Sequence, residues 1–332
     1  MRKTVLTMFA AMVLLGCGNE PTPVAPDEQK AITFGSVETR AKLSDLQAAD
    51  GGFGVWAVVN NDTLEDFLLM DNQYVKWEAG QWVYSPEQYW IDNSEFSFWA
   101  TYPYDENGTY YSYNSTNKAV ELTVAETPST TDFLIAKNVT DTSEAYATTV
   151  DLDFQHVLTS VGLNIWRDDA KHKNDQMRVR KVTLSNIRKA GTATFTATSN
   201  SWNYNTNEKL TLEYVNNNVA DSDDIGAAVK ENDTYKFGGV ASTPFNGLML
   251  LPQTIEQSGV SLKIEYELKR LNAPDWEAAE LETYLPAITW NAGQRYTYNV
   301  VLSSVTDITV YYIQTKVDPW GTPQVGGTVI IK

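Results

Sequence analysis

Stretches in which apolar and polar residues alternate recur along the chain from residue 53 onward, and each predicts a β-strand with one buried face. The clearest of them places Leu262, Ile264, Tyr266 and Leu268 on one side. Similar alternation covers residues 53–59, 96–100, 150–154, 161–165, 296–302 and 308–313. Turn-forming residues separate these runs, and no segment beyond the N-terminus shows convincing helical periodicity. The pattern is typical of antiparallel sandwiches, so we expect an all-β protein.

An isolated apolar pair precedes this region. Ile32 and Phe34 are two positions apart, as on one face of a short strand over residues 31–35. Residues 37–42 then carry several charges, and we expect this stretch to interrupt the strand pattern and to be exposed. Residues 18–30 contain three prolines without apolar periodicity, which is typical of a tether.

The N-terminus has the pattern of an export signal. Arg2 and Lys3 precede an uncharged, mostly apolar run of about 12 residues, which is shorter than the roughly 20 of a membrane-spanning helix. Cys17 follows this run and is the only cysteine of the chain, so no internal disulfide can form. Residues 14–17, Leu-Leu-Gly-Cys, resemble a bacterial lipobox. This resemblance implies cleavage between Gly16 and Cys17 and lipidation of Cys17; an ordinary signal peptide with a chance cysteine is the alternative.

Composition and charge narrow the class of partner. The chain has 10 Trp, 18 Tyr and 11 Phe residues among 332, and this aromatic content favours strands over helices. The formal net charge is −17, which argues against nucleic acid as a partner because phosphate contacts need clustered Lys and Arg.

Mostly polar or small residues at 137–149 predict a boundary between two domains.

Few residues point to catalysis or to metal binding. His156 and His172 are the only histidines, and we expect His156 to be a packed, hydrogen-bonded residue. Asp153 lies near it, but no nucleophile can be assigned to complete a triad. Acidic clusters at 168–169 and 221–224 could bind calcium, but they lack the spacing and terminal Glu of an EF-hand and are expected to be solvated turns. We therefore expect no enzyme, no cofactor and no metal site.

One group of aromatic residues has two interpretations. Its side chains could line a sugar-binding face, or they could form the core of the sandwich and cross-strand pairs. We favour the second interpretation. The group comprises Trp77, Trp82, Tyr84, Tyr89, Trp90 and Trp99. Residues 62–64, Asp-Thr-Leu, weakly resemble a short bacterial O-glycosylation sequon.

Several stretches in a fixed order resemble the fimbrillin family, the Mfa-like precursors of type V pili. They are Thr39-Arg40-Ala41, residues 96–103 (Phe-Ser-Phe-Trp-Ala-Thr-Tyr-Pro), residues 132–137, residues 152–158, residues 250–253 and residues 290–298. The resemblance spans most of the exported chain. It implies two antiparallel, transthyretin-like β-sandwich domains in tandem. The expected organisation is a signal peptide (1–16), a lipidated tether with a removable first strand (17–40), an N-terminal domain (41–148) and a C-terminal domain (149–332).

The resemblance also implies how such a subunit assembles. A lipidated precursor reaches the outer membrane, a protease cuts between Arg40 and Ala41, and the released strand leaves a groove. A C-terminal strand of another subunit then fills the groove, so the implied partners are other fimbrial subunits. The candidate donor residues are Ile308, Val310 and Tyr312 in one stretch and Val325, Val329 and Ile331 in the next.

The expected function is therefore that of a structural or adhesive fimbrial subunit, at the outer membrane first and then in the extracellular fimbrium. A host glycan or protein is a further possible ligand, and a stalk, a tip and an anchor subunit are all compatible with the pattern. The alternative is a monomeric surface lipoprotein that binds glycans. A hydrolase is disfavoured because no paired acid and base stands at a plausible site.

Overall fold

The computed structural model describes residues 30–39, 47, 51–61, 64–141, 149–204, 208–218, 220, 223–231, 234–304 and 307–316. Most of these residues lie in strands, which confirms the expected all-β class. The described part of the chain has a single short helix, α1 (Asp169–His172). This helix is not long and apolar enough to cross a membrane.

A seven-stranded sheet and a four-stranded sheet form what we call the N-terminal sandwich. The larger sheet has the order β1 (Phe34–Thr39), β9 (Val150–His156), β8 (Leu134–Asp141), β5 (Ser94–Tyr102), β2 (Phe53–Asn61), β3 (Leu64–Glu78) and β4 (Gln81–Val83). The smaller sheet has the order β13 (Asn200–Asn203), β12 (Gly191–Thr196), β7 (Ala119–Val124) and β6 (Tyr111–Asn114).

Both faces of the larger sheet are buried. On β2, Phe53 and Val55 pack into a cluster that also contains residues of β5 and β9. Trp56 and Val58, which point to the other side, pack with residues of the smaller sheet. Because successive side chains of a strand point to opposite faces, one strand supplies both cores.

Two more sheets form what we call the C-terminal sandwich. One has the order β16 (Thr234–Gly238), β15 (Ala227–Glu231), β10 (Thr159–Asp168), β22 (Gln294–Ser304) and β23 (Asp307–Lys316), and β17 (Ser242–Leu250) also pairs with β10. The other has the order β14 (Lys209–Val215), β11 (Gln176–Arg188), β19 (Ser261–Lys269) and β20 (Glu277–Tyr284). A short pair, β18 (Gln253–Ile255) and β21 (Ile288–Trp290), accompanies them.

One core lies between these two sheets. The alternating residues that predicted β19, from Leu262 to Leu268, are buried there against Val161 and Leu163 of β10 and Tyr298 of β22. The alternation read from the sequence is therefore the alternation between core and solvent in this sandwich.

The N-terminal sandwich does not end at residue 148, where we expected the domain boundary. After that position β9 pairs with β1 and β8, and β12 pairs with β7. The polar residues from 137 onward belong partly to β8 itself, which continues to Asp141, and partly to the connection between β8 and its neighbour β9. A polar stretch marks a connection at the surface, and this connection lies within one sheet rather than between two domains.

Candidate functional site

The first strand lies at one edge of the seven-stranded sheet, where β9 is its neighbour among the strands that the structure describes. The pairing is parallel and places Phe34 opposite Val150, Val37 opposite Leu152 and Thr39 opposite Phe154. The backbone N–H of Val150 donates to the carbonyl of Thr33 over 2.7 Å. Without β1, the edge of β9 would expose unpaired backbone groups, which favour the addition of another strand.

Two apolar side chains anchor this strand. Ile32 is 1% exposed and Phe34 is 6% exposed, and both belong to the core on one face of the larger sheet. Three aromatic rings surround Phe34 edge-on, with centroid distances of 6.0 Å to Phe53, 5.7 Å to Tyr84 and 6.4 Å to Phe98. We call these three rings and the edge of β9 the first-strand groove. Burial of two such side chains contributes about 3–6 kcal/mol.

The loop after β4 holds the N-terminal side of the first strand. The N–H of Ile32 donates to the carbonyl of Gln88 over 2.8 Å, and the N–H of Trp90 donates to the carbonyl of Lys30 over 3.0 Å. The hydroxyl of Tyr84 donates to the carbonyl of Ile32 over 2.7 Å. Burial raises the pKa of Tyr84 to about 12, against a partly offsetting hydrogen bond with Gln88, so the hydroxyl remains a donor throughout the physiological range.

The C-terminal half of the first strand is less well matched to its neighbour. The register shifts between Phe34 and Val37, which marks an irregularity in the ladder. At Gly35 any side chain would collide with Thr149, whose Oγ1 lies 2.3 Å from the place of a Cβ. Beyond it the register sets Val37 opposite Leu152 and Thr39 opposite Phe154.

The charged stretch after Phe34 does not interrupt the strand, contrary to our expectation for residues 37–42. The backbone of β1 continues to Thr39. An edge strand can carry charged residues because its ladder depends on backbone groups and its side chains need not all be buried. Arg40 and Ala41, the expected cleavage pair, lie outside the described residues, as do Gly16 and Cys17.

The two candidate donor stretches differ in what the structure describes. Ile308, Val310 and Tyr312 lie in β23, which pairs antiparallel with β22 and forms an edge of its own sheet. The register places Ile308 opposite Leu302 and Val310 opposite Val300. The second set, Val325, Val329 and Ile331, lies outside the described residues.

The two histidines are held by carboxylates. The side chain of His156 is fully buried, and its Nδ1 lies 2.9 Å from Oδ1 of Asp132, as expected of a packed structural residue. His172, on α1, has the same contact with Asp175 at 2.9 Å. The hydrogen bond from His172 and that from the backbone of Leu271 lower the pKa of Asp175 against the effect of its burial, which raises it.

Carboxylates of the acidic clusters accept hydrogen bonds from backbone N–H groups. Asp168 caps α1 by accepting from the N–H of Ala170, and Asp224 accepts from the N–H of Met177 over 2.8 Å. Among the described residues no group of three or more His, Cys, Asp or Glu is placed to hold a metal ion.

Most of the aromatic group considered for a sugar-binding face belongs to the core. Trp82, Trp90 and Trp99 are at most 8% exposed, and Trp77 packs against the same core. Trp77 and Trp82 are cross-strand partners with ring centroids 5.0 Å apart. Within the group, Tyr89 has 38% of its surface exposed. These residues pack the sandwich, as the favoured interpretation predicted.

Sequence reasoning did not identify the residues that hold the first strand. Tyr84, Gln88 and Trp90 follow a hairpin and carry no periodic signal, because they act through single contacts with a strand about 50 positions away. Gly35 is visible in the sequence, but its close approach to Thr149 depends on the sheet order.

We predict that Phe34→Ala loosens the first strand selectively. Loss of a buried phenylalanine costs about 3–5 kcal/mol, so the amide of Val150 should exchange with solvent at least about 100-fold faster. Hydrogen exchange of the full-length chain measures this. Thr33→Ala is the matched control, because the Thr33 side chain is exposed and its backbone carbonyl remains. Equal exchange at Val150 in both variants would show that Phe34 does not anchor the strand.

Comparison with known proteins supports the fold and the family. A family model described as fimbrillin-like matches residues 39–320. A fimbrial protein from Bacteroides vulgatus has 16% identity over 86% of this chain and 99% of its own, with a TM-score of 0.62. A Bacteroides uniformis protein assigned to cell adhesion has 16% identity over 88% of this chain and 99% of its own, with a TM-score of 0.50.

No curated protein matches the chain. At 16% identity the two solved structures show a likeness of fold alone. The family model, by contrast, matches most of the sequence directly and confirms the resemblance seen in its motifs. The chain belongs to the fimbrillin-like family.

Proposed function

We propose that this chain is the lipoprotein precursor of a fimbrial subunit, and that it polymerises by strand exchange after cleavage at Arg40. The observation that carries the proposal is the position of β1. It pairs with one strand, buries two apolar side chains and ends one residue before Arg40. A strand so placed can be separated from the rest of the chain by a single cut.

The cut matters because it changes the first strand from a tethered segment to a separate peptide. A segment joined by a short linker has an effective local concentration of about millimolar or higher, so it rebinds after every local opening. After the cut, dissociation gains translational freedom that opposes rebinding. The irregular register between Phe34 and Val37 also favours dissociation.

The vacated groove would suit a strand from another subunit. The N–H of Val150 would lose its partner on Thr33, and the rings of Phe53 and Phe98 would lose their contact with Phe34. An added strand restores the ladder, and its alternate apolar side chains fill the groove. Because a donor end and an acceptor groove are different surfaces, the contact is head-to-tail and produces an open polymer.

The tail beyond β23 is the favoured donor. β23 already pairs with β22, so its release would expose an edge of the C-terminal sandwich. The tail beyond it offers Val325, Val329 and Ile331, whose spacings of four and two positions would place them on one face of an added strand. Ile308, Val310 and Tyr312 of β23 are the alternative donor set.

The alternative function, a monomeric glycan-binding lipoprotein, requires neither Arg40 nor a donor strand. The aromatic group first considered for it lies mainly in the core. The N-terminus of the protein on cells separates the two functions. Ala41 supports the fimbrial subunit, and lipidated Cys17 supports a monomer or an anchor subunit.

We predict that Cys17→Ala abolishes labelling of the precursor by radioactive palmitate and its retention at the outer membrane, because no other thiol is present. Labelling and membrane fractionation of cells that express each form measure both effects. Labelling that persists in Cys17→Ala would contradict lipidation at this residue.

We predict that Arg40→Ala leaves a folded monomer that keeps its first strand and does not polymerise. The matched control is Lys42→Ala, which removes a neighbouring basic residue but leaves the arginine that the protease recognises. Mass spectrometry of the mature N-terminus and electron microscopy of fibres are the measurements. If Arg40→Ala polymerises as well as the unmodified chain, strand release at this bond is not the trigger.

We predict that deletion of residues 325–332 leaves a folded monomer that accepts a strand but cannot donate one. Mixed into the unmodified protein, it should shorten fibres in proportion to its share. Unfolding of the deleted monomer would place the tail in the core of its own sandwich. If fibre length is unchanged, either β23 is the donor strand or this subunit does not donate a strand.

A further inference from the structure

A cleft of about 700 Å³ opens where the two sandwiches meet. Strands β8 and β9 and the β12–β13 hairpin form its N-terminal side, and residues 252–254 and 289–294 form its C-terminal side. The volume lies within the roughly 300–1,000 Å³ typical of ligand sites, and such sites occur preferentially at junctions between domains. The expected function does not use this cleft.

One wall of the cleft is aromatic. Trp202 and Tyr204 are half-buried, and their ring planes are nearly parallel, at 5°, with centroids 6.1 Å apart. The Tyr204 hydroxyl donates to the carbonyl of Pro252 in the opposite sandwich, which fixes the ring across the junction. The indole N–H of Trp202 has no hydrogen-bond partner among the described residues. A flat, partly exposed ring with a free donor can pack on the C–H face of a sugar and bind one of its hydroxyls.

An arginine side chain lies over the aromatic wall. The Arg188 guanidinium lies 4.1 Å from the centroid of the Tyr204 ring, and within the described chain no carboxylate is within ion-pair distance of it. Stacking on a ring uses the face of a guanidinium and leaves the N–H groups at its edge free for a carboxylate.

A lysine adds a second positive charge to the lining. Nζ of Lys137 donates to Oδ1 of Asn200 over 2.8 Å and to the carbonyl of Thr196 over 3.1 Å, which leaves one donor. Lys137 and Arg188 outnumber the Asp153 carboxylate in the lining. This local excess of positive charge, on a chain with a net charge of −17, favours an anionic ligand.

The remaining lining is suited to hydroxyl groups. The side-chain amide of Gln294 has no partner among the described residues, and that of Asn291 makes only a long contact of 3.5 Å with Tyr296. On the opposite rim, Asp153 accepts from Gln155 over 3.2 Å and keeps further acceptor capacity. Amides and a carboxylate around an aromatic wall provide both donors and acceptors.

We propose that this cleft binds an acidic sugar, a pyranose that carries a carboxylate. Trp202 packs on the C–H face of the ring, Arg188 pairs with the carboxylate, and Asn291 and Gln294 bind hydroxyls. The proposal names a ligand class for the adhesive role of the proposed subunit. These four residues lie on neither β1 nor β9, so titration of the uncleaved chain tests them separately from cleavage and polymerisation.

Titration of the purified, uncleaved chain tests the proposal. Glucuronic, galacturonic and N-acetylneuraminic acid are each compared with glucose and galactose by calorimetry and by saturation-transfer NMR. Concentrations should reach about 20 mM, because a millimolar Kd corresponds to only about −4 kcal/mol. At least one acidic sugar should bind about tenfold more tightly than either neutral sugar.

Two variants locate the site. Trp202→Ala should weaken binding of the acidic sugar about tenfold or more, and Arg188→Gln should remove the preference for acidic over neutral sugars. Trp276→Ala is the matched control, because Trp276 is also half-buried under an arginine, Arg178, with 4.0 Å between guanidinium and ring centroid, but lies outside the cleft. Circular dichroism and thermal unfolding establish that each variant is folded.

Three results would overturn the proposal. The first is that no acidic sugar binds at these concentrations. The second is that neutral sugars bind as tightly as acidic ones, which removes the role of Arg188. The third is that folded Trp202→Ala binds like Trp276→Ala, which places any binding elsewhere. None of these results bears on fibre formation, which is measured separately with the Arg40→Ala variant.

Discussion

Coverage of the β9 edge is the constraint on which the N-terminal sandwich depends. β9 is paired with β8 on one side, and of the described strands β1 alone covers its other side. Ile32, just before β1, and Phe34, at its start, fill the core beside this edge, and Phe34 occupies the first-strand groove. A strand in this position is needed by the fold, yet it has one neighbour and lies near the N-terminus, so it is also the strand most easily exchanged. This combination is the physical basis of the proposed polymerisation.

The two sandwiches are joined by the path of the chain. It leaves the N-terminal sandwich after β9, forms β10 and β11 of the other, and returns to add β12 and β13. The junction is therefore crossed several times, and the hydrogen bond from Tyr204 to Pro252 spans it. The cleft with Trp202 and Arg188 results from this crossing. The proposed strand exchange at β9 would replace one edge strand by another, which is compatible with a preserved cleft in a fibre.

Much of the fold was predictable because its signals are local. Alternation identified β2, β5, β10 and β19. The predictions that failed concerned polar segments. Charged residues after Phe34 remain in β1, and the polar stretch near residue 148 joins neighbouring strands of one sheet. Polar composition alone does not distinguish an edge strand, or a connection within one sheet, from a boundary between domains.

The sequence by itself determined the all-β class, the family, most strands and the two apolar residues of the first strand. Side-chain alternation and the order of motifs depend only on the order of residues in the chain. Only the tertiary structure decided that β1 lies beside β9, that Tyr84 and Gln88 hold it, and that Trp202, Arg188 and Gln294 line one cleft. These pairings join residues that are tens to more than a hundred positions apart. Strand order is selected by the total burial and hydrogen bonding of the whole sheet, which no local pattern contains.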